Sequence, residues 1–303
     1  MNEKGSVTAL VTAFSRAYHS SHAAVKIFDD PLAVKMFSDE ALSFFEKSTA
    51  ESLKFLDPEL AAACPGREEA LEAVMRVQNA PVTLSRSRYT EDCLEEGLAA
   101  GVKQYVILGA GMDTFAFRKP ELLSRLGVFE VDHPSTQAGK LQRIAELGWK
   151  VPPALHFVPH DFNAESLKTA LDRSDYDPRG RSFFSWLGVT VYLDRATVFD
   201  VLRAFTGISA PGSTIVFDYF DTDAFIPEKA GKRVRMMQEI VKRAGEPMKA
   251  GFDPSGLREE LEQVGLRLIE DLGPNDIEER YFKNRDDGYH AYEHVHFARA
   301  AVK

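Results

Sequence analysis

The run Tyr105-Val106-Ile107-Leu108-Gly109-Ala110-Gly111-Met112-Asp113-Thr114, continued as FAFR to Arg118, decides the fold class. Four apolar residues rich in β-formers read as a strand buried on both faces, since a half-buried strand would alternate. The strand stops at Gly-x-Gly, where the chain can turn tightly and a ligand can approach the backbone closely. Ligands of open α/β sheets bind there, beyond the carboxyl ends of the strands. The dinucleotide fingerprint asks for a third glycine three residues after Gly111, and position 114 is Thr, so the pyrophosphate-binding geometry is not signalled. For this loop alone, a plain strand-to-helix turn is the alternative.

Four more short apolar runs follow, at 128–132, 155–158 (running on to Asp161), 181–187 and 213–219. Helical stretches at 134–147, 164–172 and 195–207 separate them, and strands alternating with helices build a parallel sheet covered on both faces. The tail predicts a helix over 255–264, a strand at 266–270 and a strand over 290–300. In that last strand Tyr292, His294, His296 and Ala298 would share a face, and the final pair could close the sheet as a hairpin. The charged stretch between Phe220 and Gly251 predicts an inserted helix around 225–250. Upstream of Gly101 the pattern is helical throughout. Leu10, Phe14 and Ala17 are helically spaced, and Asp30-Pro31 looks like an N-cap with proline at the first helical position. Segments 67–78 and 81–100 are helical, the latter with Leu84, Tyr89, Leu94 and Leu98 as its core stripe. The expected organisation is a helical cap over 1–100 and a sheet core over 101–303.

The chain has 303 residues, 46 of them acidic and 37 basic, leaving a net charge of −9. That balance argues against a nucleic-acid partner, which would call for a basic face. Two cysteines, Cys64 and Cys93, make neither a disulfide framework nor a zinc site, and a reduced, cytoplasmic setting is the simplest expectation. Neither a signal peptide nor a membrane span is expected.

Two acids sharpen the ligand. Asp132 ends the second strand, where it can accept both hydroxyls of a ribose, and Asp161 ends the third, where it can accept from an adenine amino group. Each could instead cap a helix. A glycine loop, a ribose acid and an adenine acid at successive strand ends fit a nucleoside ligand with no phosphate requirement. S-adenosylmethionine meets that description better than a dinucleotide does.

The segments YVILGAGMDTFAFR, FEVDHPSTQAGK, HDF and FFSWLGVTVYL, in that order, resemble the class I S-adenosylmethionine-dependent methyltransferases of the leucine carboxyl methyltransferase family. That family includes polyketide carboxyl methyltransferases and bacterial O-methyltransferases. Arg16-Ala17, Asp30-Pro31 and RSRYTEDCL (86–94) are similar to its upstream pattern, so the likeness runs over about 14–212. It implies a Rossmann-like α/β fold: a seven-stranded, mostly parallel sheet with the N-terminal helical cap. It further implies that Gly109, Ala110 and Gly111 contact the methionine part of S-adenosyl-L-methionine, that Asp132 with His133 holds the ribose, and that Asp161 with Phe162 holds the adenine. Arg88 would pair with the cofactor carboxylate, as a bidentate guanidinium can; a surface arginine is its alternative. Where much of the family reads Glu-Gly-Val, this chain reads Leu187-Gly188-Val189, so backbone carbonyls near Gly109 and Leu187 are left for the cofactor amino group.

Methyl transfer from a sulfonium needs alignment in a dry pocket more than acid or base. No His-Asp pair is visible near the strand ends, which favours a carboxylate or acidic hydroxyl of a small molecule as acceptor. Acceptor-side candidates are Arg16, Tyr18, His19, Tyr192 and Tyr219, each with a packing or surface alternative. His290, His294 and His296 are better read as packing groups than as a metal site. The basic run Lys232-Arg233-Val234-Arg235 and Lys242-Arg243 reads as a solvated helix face or lid rather than a binding patch. An NAD(P)-dependent oxidoreductase and a non-catalytic S-adenosylmethionine-binding protein are the alternatives. No membrane partner is expected, and a homodimer is compatible with the sequence.

Overall fold

In the computed structural model the described residues are 6–162, 164–243 and 245–303. Seven strands, β1 (Gln104–Leu108), β2 (Gly127–Asp132), β3 (Leu155–Pro159), β4 (Ser182–Trp186), β5 (Thr214–Phe220), β6 (Leu266–Leu272) and β7 (Val295–Val302), form one sheet in the order β3-β2-β1-β4-β5-β7-β6. The first five pair in parallel, and β7 runs antiparallel between β5 and β6. This is the class I methyltransferase arrangement. Every residue of β1, β4 and β5 is buried, whereas the edge strand β6 alternates, with Leu266, Leu268 and Leu272 inward.

Five helices precede the sheet: α1 (Val7–His22), α2 (Asp39–Leu56), α3 (Pro58–Ala63), α4 (Arg67–Val77) and α5 (Ala80–Ala99). Among the strands and after them come α6 (Phe115–Arg118), α7 (Pro134–Glu146), α8 (Leu167–Leu171), α9 (Arg195–Ile208), α10 (Lys232–Arg243), α11 (Pro254–Gln263) and α12 (Pro274–Ile277). Side chains from alternate positions of each strand feed two cores. Val106 and Leu108 pack with Phe205, Leu257 and Leu261 from α9 and α11. Tyr105 and Ile107 face the other way, into one cluster with Phe14, Leu84, Tyr89 and Leu94 from α1 and α5. No helix of the described residues is long and apolar enough to cross a membrane.

Two sequence expectations change here. Asp30-Pro31 opens only a short 3-10 turn over Ala33–Met36, and the next helix starts at Asp39 with Ser38 as its cap. The last strand begins at Val295, so Tyr292 and His294 lie before it. His294 turns into the left-handed region (φ 64) and ties two loops: its Nδ1 donates to Asp221 at 2.9 Å, and its Nε2 accepts from the Gly231 N–H at 3.3 Å. The closing pair is no tight hairpin either, because α12 and a π-turn intervene.

A buried ion pair fixes α7 against β2. Lys140 reaches the Glu130 carboxylate, both 1% exposed, and Gln137 donates to the Glu130 carbonyl. Burial pushes the Glu130 carboxyl up to about 7, against the pull of Lys140. Because α7 starts two residues after Asp132, this pair also sets the strand end that carries that acid. Lys140→Met strands Glu130 and should cost about 3–5 kcal/mol in urea unfolding. Adding Glu130→Gln should restore most of it; equal instability of the single and double variants would contradict this role.

Candidate active site

A cavity of about 420 Å³ opens at the carboxyl ends of β1, β2 and β4, within the size range of small-ligand sites. Its floor is the glycine loop. Gly109 and Gly111 have φ 71 and 53, and a Cβ on Gly109 would fall 2.5 Å from Val189 Cγ2. A Cβ on Gly111 would meet Ala9 Cβ of α1 at 3.0 Å, so the first helix lies directly on the loop. Asp132 lines the cavity and accepts from the Gly111 N–H and, at 2.6 Å, from the His133 N–H. Burial raises its pKa, and those two N–H donors oppose the rise.

The loop is held from the cap. Asp30, 1% exposed, accepts from Arg16 Nε at 2.9 Å, from the Thr114 hydroxyl at 2.6 Å and from the Ala33 N–H at 3.1 Å. Arg118 stands 3.8 Å away. Burial opposes ionisation of Asp30, but Arg16, Thr114 and Arg118 outweigh it and hold the carboxyl below its usual range. Arg16 also donates to the Met112 carbonyl at 2.7 Å, inside the glycine loop.

The other wall begins with Arg86 of α5. Its Nη1 donates to Asp218 of β5 at 2.8 Å, and the same carboxylate accepts from the Gly188 N–H at 2.6 Å. Gly188 has φ 67, and a Cβ there would sit 2.5 Å from Arg86 Nη2, so a larger residue would be strained and would push the guanidinium away. Tyr192, Thr8, Thr12, Glu246 and Lys249 complete the wall. The Thr8 hydroxyl donates to Glu246 and interacts with the Tyr192 phenol, which burial pushes up to about 12. Lys249 N–H donates to the Val191 carbonyl at 2.7 Å, fastening the segment that carries Glu246 to the chain leaving β4.

The sequence model of the family described as leucine carboxyl methyltransferase matches residues 9–206, which include the loop, Asp132, Arg86 and Gly188. The chain belongs to the leucine carboxyl methyltransferase family. It is 38% identical over 302 residues, 99% of each chain, to YktD of Bacillus subtilis (strain 168), provisionally named an S-adenosyl-L-methionine-dependent methyltransferase. Rv1729c of Mycobacterium tuberculosis (strain H37Rv), provisionally named in the same way, is 28% identical over 213 residues, 70% of this chain and 64% of that one. Among solved structures, an O-methyltransferase family protein from Burkholderia thailandensis overlays with a TM-score of 0.47 at 11% identity, covering 90% of this chain and 71% of that one. S-adenosyl-L-methionine is therefore the cofactor, and the protein is a methyltransferase. The oxidoreductase alternative falls with that membership.

In this methyltransferase the cavity gathers Arg16, Gly109, Ala110, Gly111, Asp132, Leu187 and Tyr192 from the residues singled out in the sequence. It leaves Arg88 out. That side chain points to solvent and pairs with Asp92 at 2.7 Å, one helical turn on, while Arg86 takes the inner position. Arg16 faces the cavity, yet its guanidinium is engaged by Asp30 and Met112. His133 and Asp161 lie beside Asp132 without lining the cavity, with His133 Nε2 at 4.0 Å from Asp161. Phe162 packs against His160 and Trp186. Tyr219 is buried, donates to Asp271 at 2.8 Å and stacks on His296. Tyr18 and His19 line a separate cavity of about 220 Å³ with His22, Glu72, Arg285 and Tyr289. Among the described residues no group of three or more His, Cys, Asp and Glu side chains is placed to hold a metal ion.

Two outcomes follow from this geometry. Arg86→Leu leaves Asp218 buried without its cation and should cost about 3–5 kcal/mol together with at least tenfold in S-adenosylhomocysteine affinity. Arg88→Ala should cost no more than about 0.5 kcal/mol and leave affinity unchanged, as urea unfolding and calorimetric titration would read; the reverse ranking would restore Arg88.

The second concerns His19. Its Nε2 accepts from the Ile27 N–H at 2.8 Å, and burial, aided by Arg285 and Lys26, pushes its pKa from 6.5 down to about 4. Between those values the unfolded chain binds the proton and the folded one does not, so stability falls as pH drops from 6.5 to 4. His19→Gln keeps an acceptor and should flatten that part of the urea midpoint curve; an unchanged slope would assign it to other groups.

Proposed function

We propose that this enzyme transfers the methyl group to an oxygen of a small molecule, a carboxylate or an acidic hydroxyl. The observation that carries the reading is the single cavity that joins the glycine loop and Asp132 to a polar wall built by α1, Tyr192 and the segment 245–249. Its residues suit the cofactor: only glycines fit at 109 and 111, and Asp132 is fixed by two backbone donors at the strand end. Gly109, Ala110 and Gly111 would hold the methionine part, Asp132 the ribose, and Asp161 with Phe162 the adenine. Arg86, rather than Arg88, would meet the carboxylate, with Asp218 fixing its orientation. Leu187 offers its backbone to the amino group.

When bound, the cofactor supplies a methyl group on a sulfonium sulfur, a strong electrophile. The remaining work is positional: α1 covers the loop, and Tyr192 and Glu246 bound the space where an acceptor oxygen must lie. Excluding water from that space also protects the electrophile from hydrolysis.

Methyl transfer to oxygen is read from the labelled product; calorimetry with S-adenosylmethionine, S-adenosylhomocysteine and NAD tests the cofactor assignment beneath it. Micromolar binding of the first two and none of the third is expected. NAD binding with no response to S-adenosylhomocysteine would refute the assignment.

A further inference from the structure

The sequence shows no base near the strand ends and so leaves a carboxylate and an acidic hydroxyl both open as acceptors. The folded chain brings a base there from far away. Glu246 lies beyond α10, outside every segment recognised as cofactor-binding, yet it lines the cavity beside Thr8 and Tyr192. Its position is anchored. The Glu246 N–H donates to the Val241 carbonyl at 2.9 Å, Lys249 and Ala250 N–H groups reach the Val191 carbonyl, and Phe252 N–H donates to the Phe220 carbonyl at 2.9 Å.

The charges around it decide which acceptor fits. Three cationic side chains line the cavity. Arg16 is spent on Asp30 and the Met112 carbonyl, and Arg86 is held by Asp218 and, in the reading above, taken up by the cofactor carboxylate. Lys249 extends toward Asp194 at 3.5 Å. Against them stand three lining acids, Asp113, Asp132 and Glu246. Asp113 caps the start of α6 through the Phe115 N–H, and Asp132 is held by two backbone N–H groups. Glu246 receives the Thr8 hydroxyl as its one donor among the described residues. A carboxylate can accept several hydrogen bonds, so Glu246 keeps capacity for a donor from the acceptor molecule. An acceptor carboxylate has no such proton to offer and would meet like charge.

We propose that the acceptor group is a hydroxyl, phenolic or enolic in acidity, and that Glu246 is the catalytic residue that takes its proton. This rests on the methyltransferase reading above and chooses between the two acceptors it allows. The step balances. The hydroxyl proton passes to a Glu246 carboxylate oxygen, and an oxygen lone pair forms the new O–CH3 bond. The S–CH3 bond breaks with its electron pair left on sulfur, giving a neutral thioether. Glu246 then releases its proton to water.

The test uses the full-length enzyme, methyl-tritiated S-adenosylmethionine and two acceptor sources: a protein-free small-molecule extract, and the matched probes 4-chlorophenol, which keeps its proton at neutral pH, and 4-chlorobenzoate. Methyl esters release volatile tritiated methanol in mild alkali, whereas methyl ethers do not. The expected product is alkali-stable and carries its label on oxygen by mass spectrometry. Glu246→Gln, which can still accept from Thr8, should lower kcat about 100-fold, with the S-adenosylhomocysteine affinity changed by less than threefold. Alkali-labile counts, an N-methylated product, or a Glu246→Gln variant with unchanged kcat would each overturn the proposal while leaving the methyltransferase reading intact. Loss of S-adenosylhomocysteine binding by the wild-type protein would bring down that reading instead.

Discussion

A carboxylate removed from water must be matched by donors in the folded chain or the fold does not close around it. Asp30 is that group here. Its partners come from three parts of the chain: Arg16 from α1, Thr114 from the loop after β1, and Ala33 from the turn between. Satisfying one acid therefore seats the first helix on the glycine loop, and Arg16 completes the contact through the Met112 carbonyl. The close approach of Ala9 to Gly111 is the steric counterpart of the same arrangement. Thr114, which breaks the dinucleotide fingerprint, is thereby accounted for. A glycine there would leave Asp30 one donor short.

The second buried acid works in the same way on the opposite wall. Asp218 joins β5 to the glycine at the end of β4 and to Arg86 of α5. The two acid-centred junctions lie on either side of the loop, and both draw on N-terminal helices. Shape and charge of the cavity are consequently set by residues distant in sequence.

Much of this was legible beforehand. The five parallel strands, the loop glycines and Asp132 are local patterns, and local patterns survive into structure. Arg88 stays outside the cavity for a geometric reason. On α5 the buried stripe runs through Arg86, Tyr89, Thr90, Cys93 and Gly97, whereas Arg88 falls in phase with Asp92 on the wet face. The helical period carried that signal, and following Tyr89 and Leu94 back along the stripe would have reached Arg86. Arg16 lines the cavity, but its engagement by Asp30 depends on a turn no periodicity encodes. Glu246 was not legible at all. It arrives after a charged helix by way of a left-handed Gly245, and only the folded backbone shows which side chain then enters the cavity. His294 is similar: its left-handed backbone interrupts what reads as a continuous strand, because its ring joins two loops.

The shared core beneath the N-terminal helices has a consequence for how such enzymes diversify. Phe14, Leu84 and Leu94 pack in one cluster with Tyr105 and Ile107 of the sheet, so the helices cannot be exchanged without rebuilding a strand face. The stretch from 221 to 252 is anchored by backbone hydrogen bonds at Val191, Phe220 and His294 and by the buried Ala224 and Val234, but the rest of its helix α10 is at least partly exposed to solvent. None of the partners given above for Asp30 or Asp218 lies in it, so substitutions at its exposed positions leave both acid-centred junctions untouched. Acceptor preference can drift through that stretch while cofactor handling stays constant, which separates the parts of the chain free to evolve from those that are not.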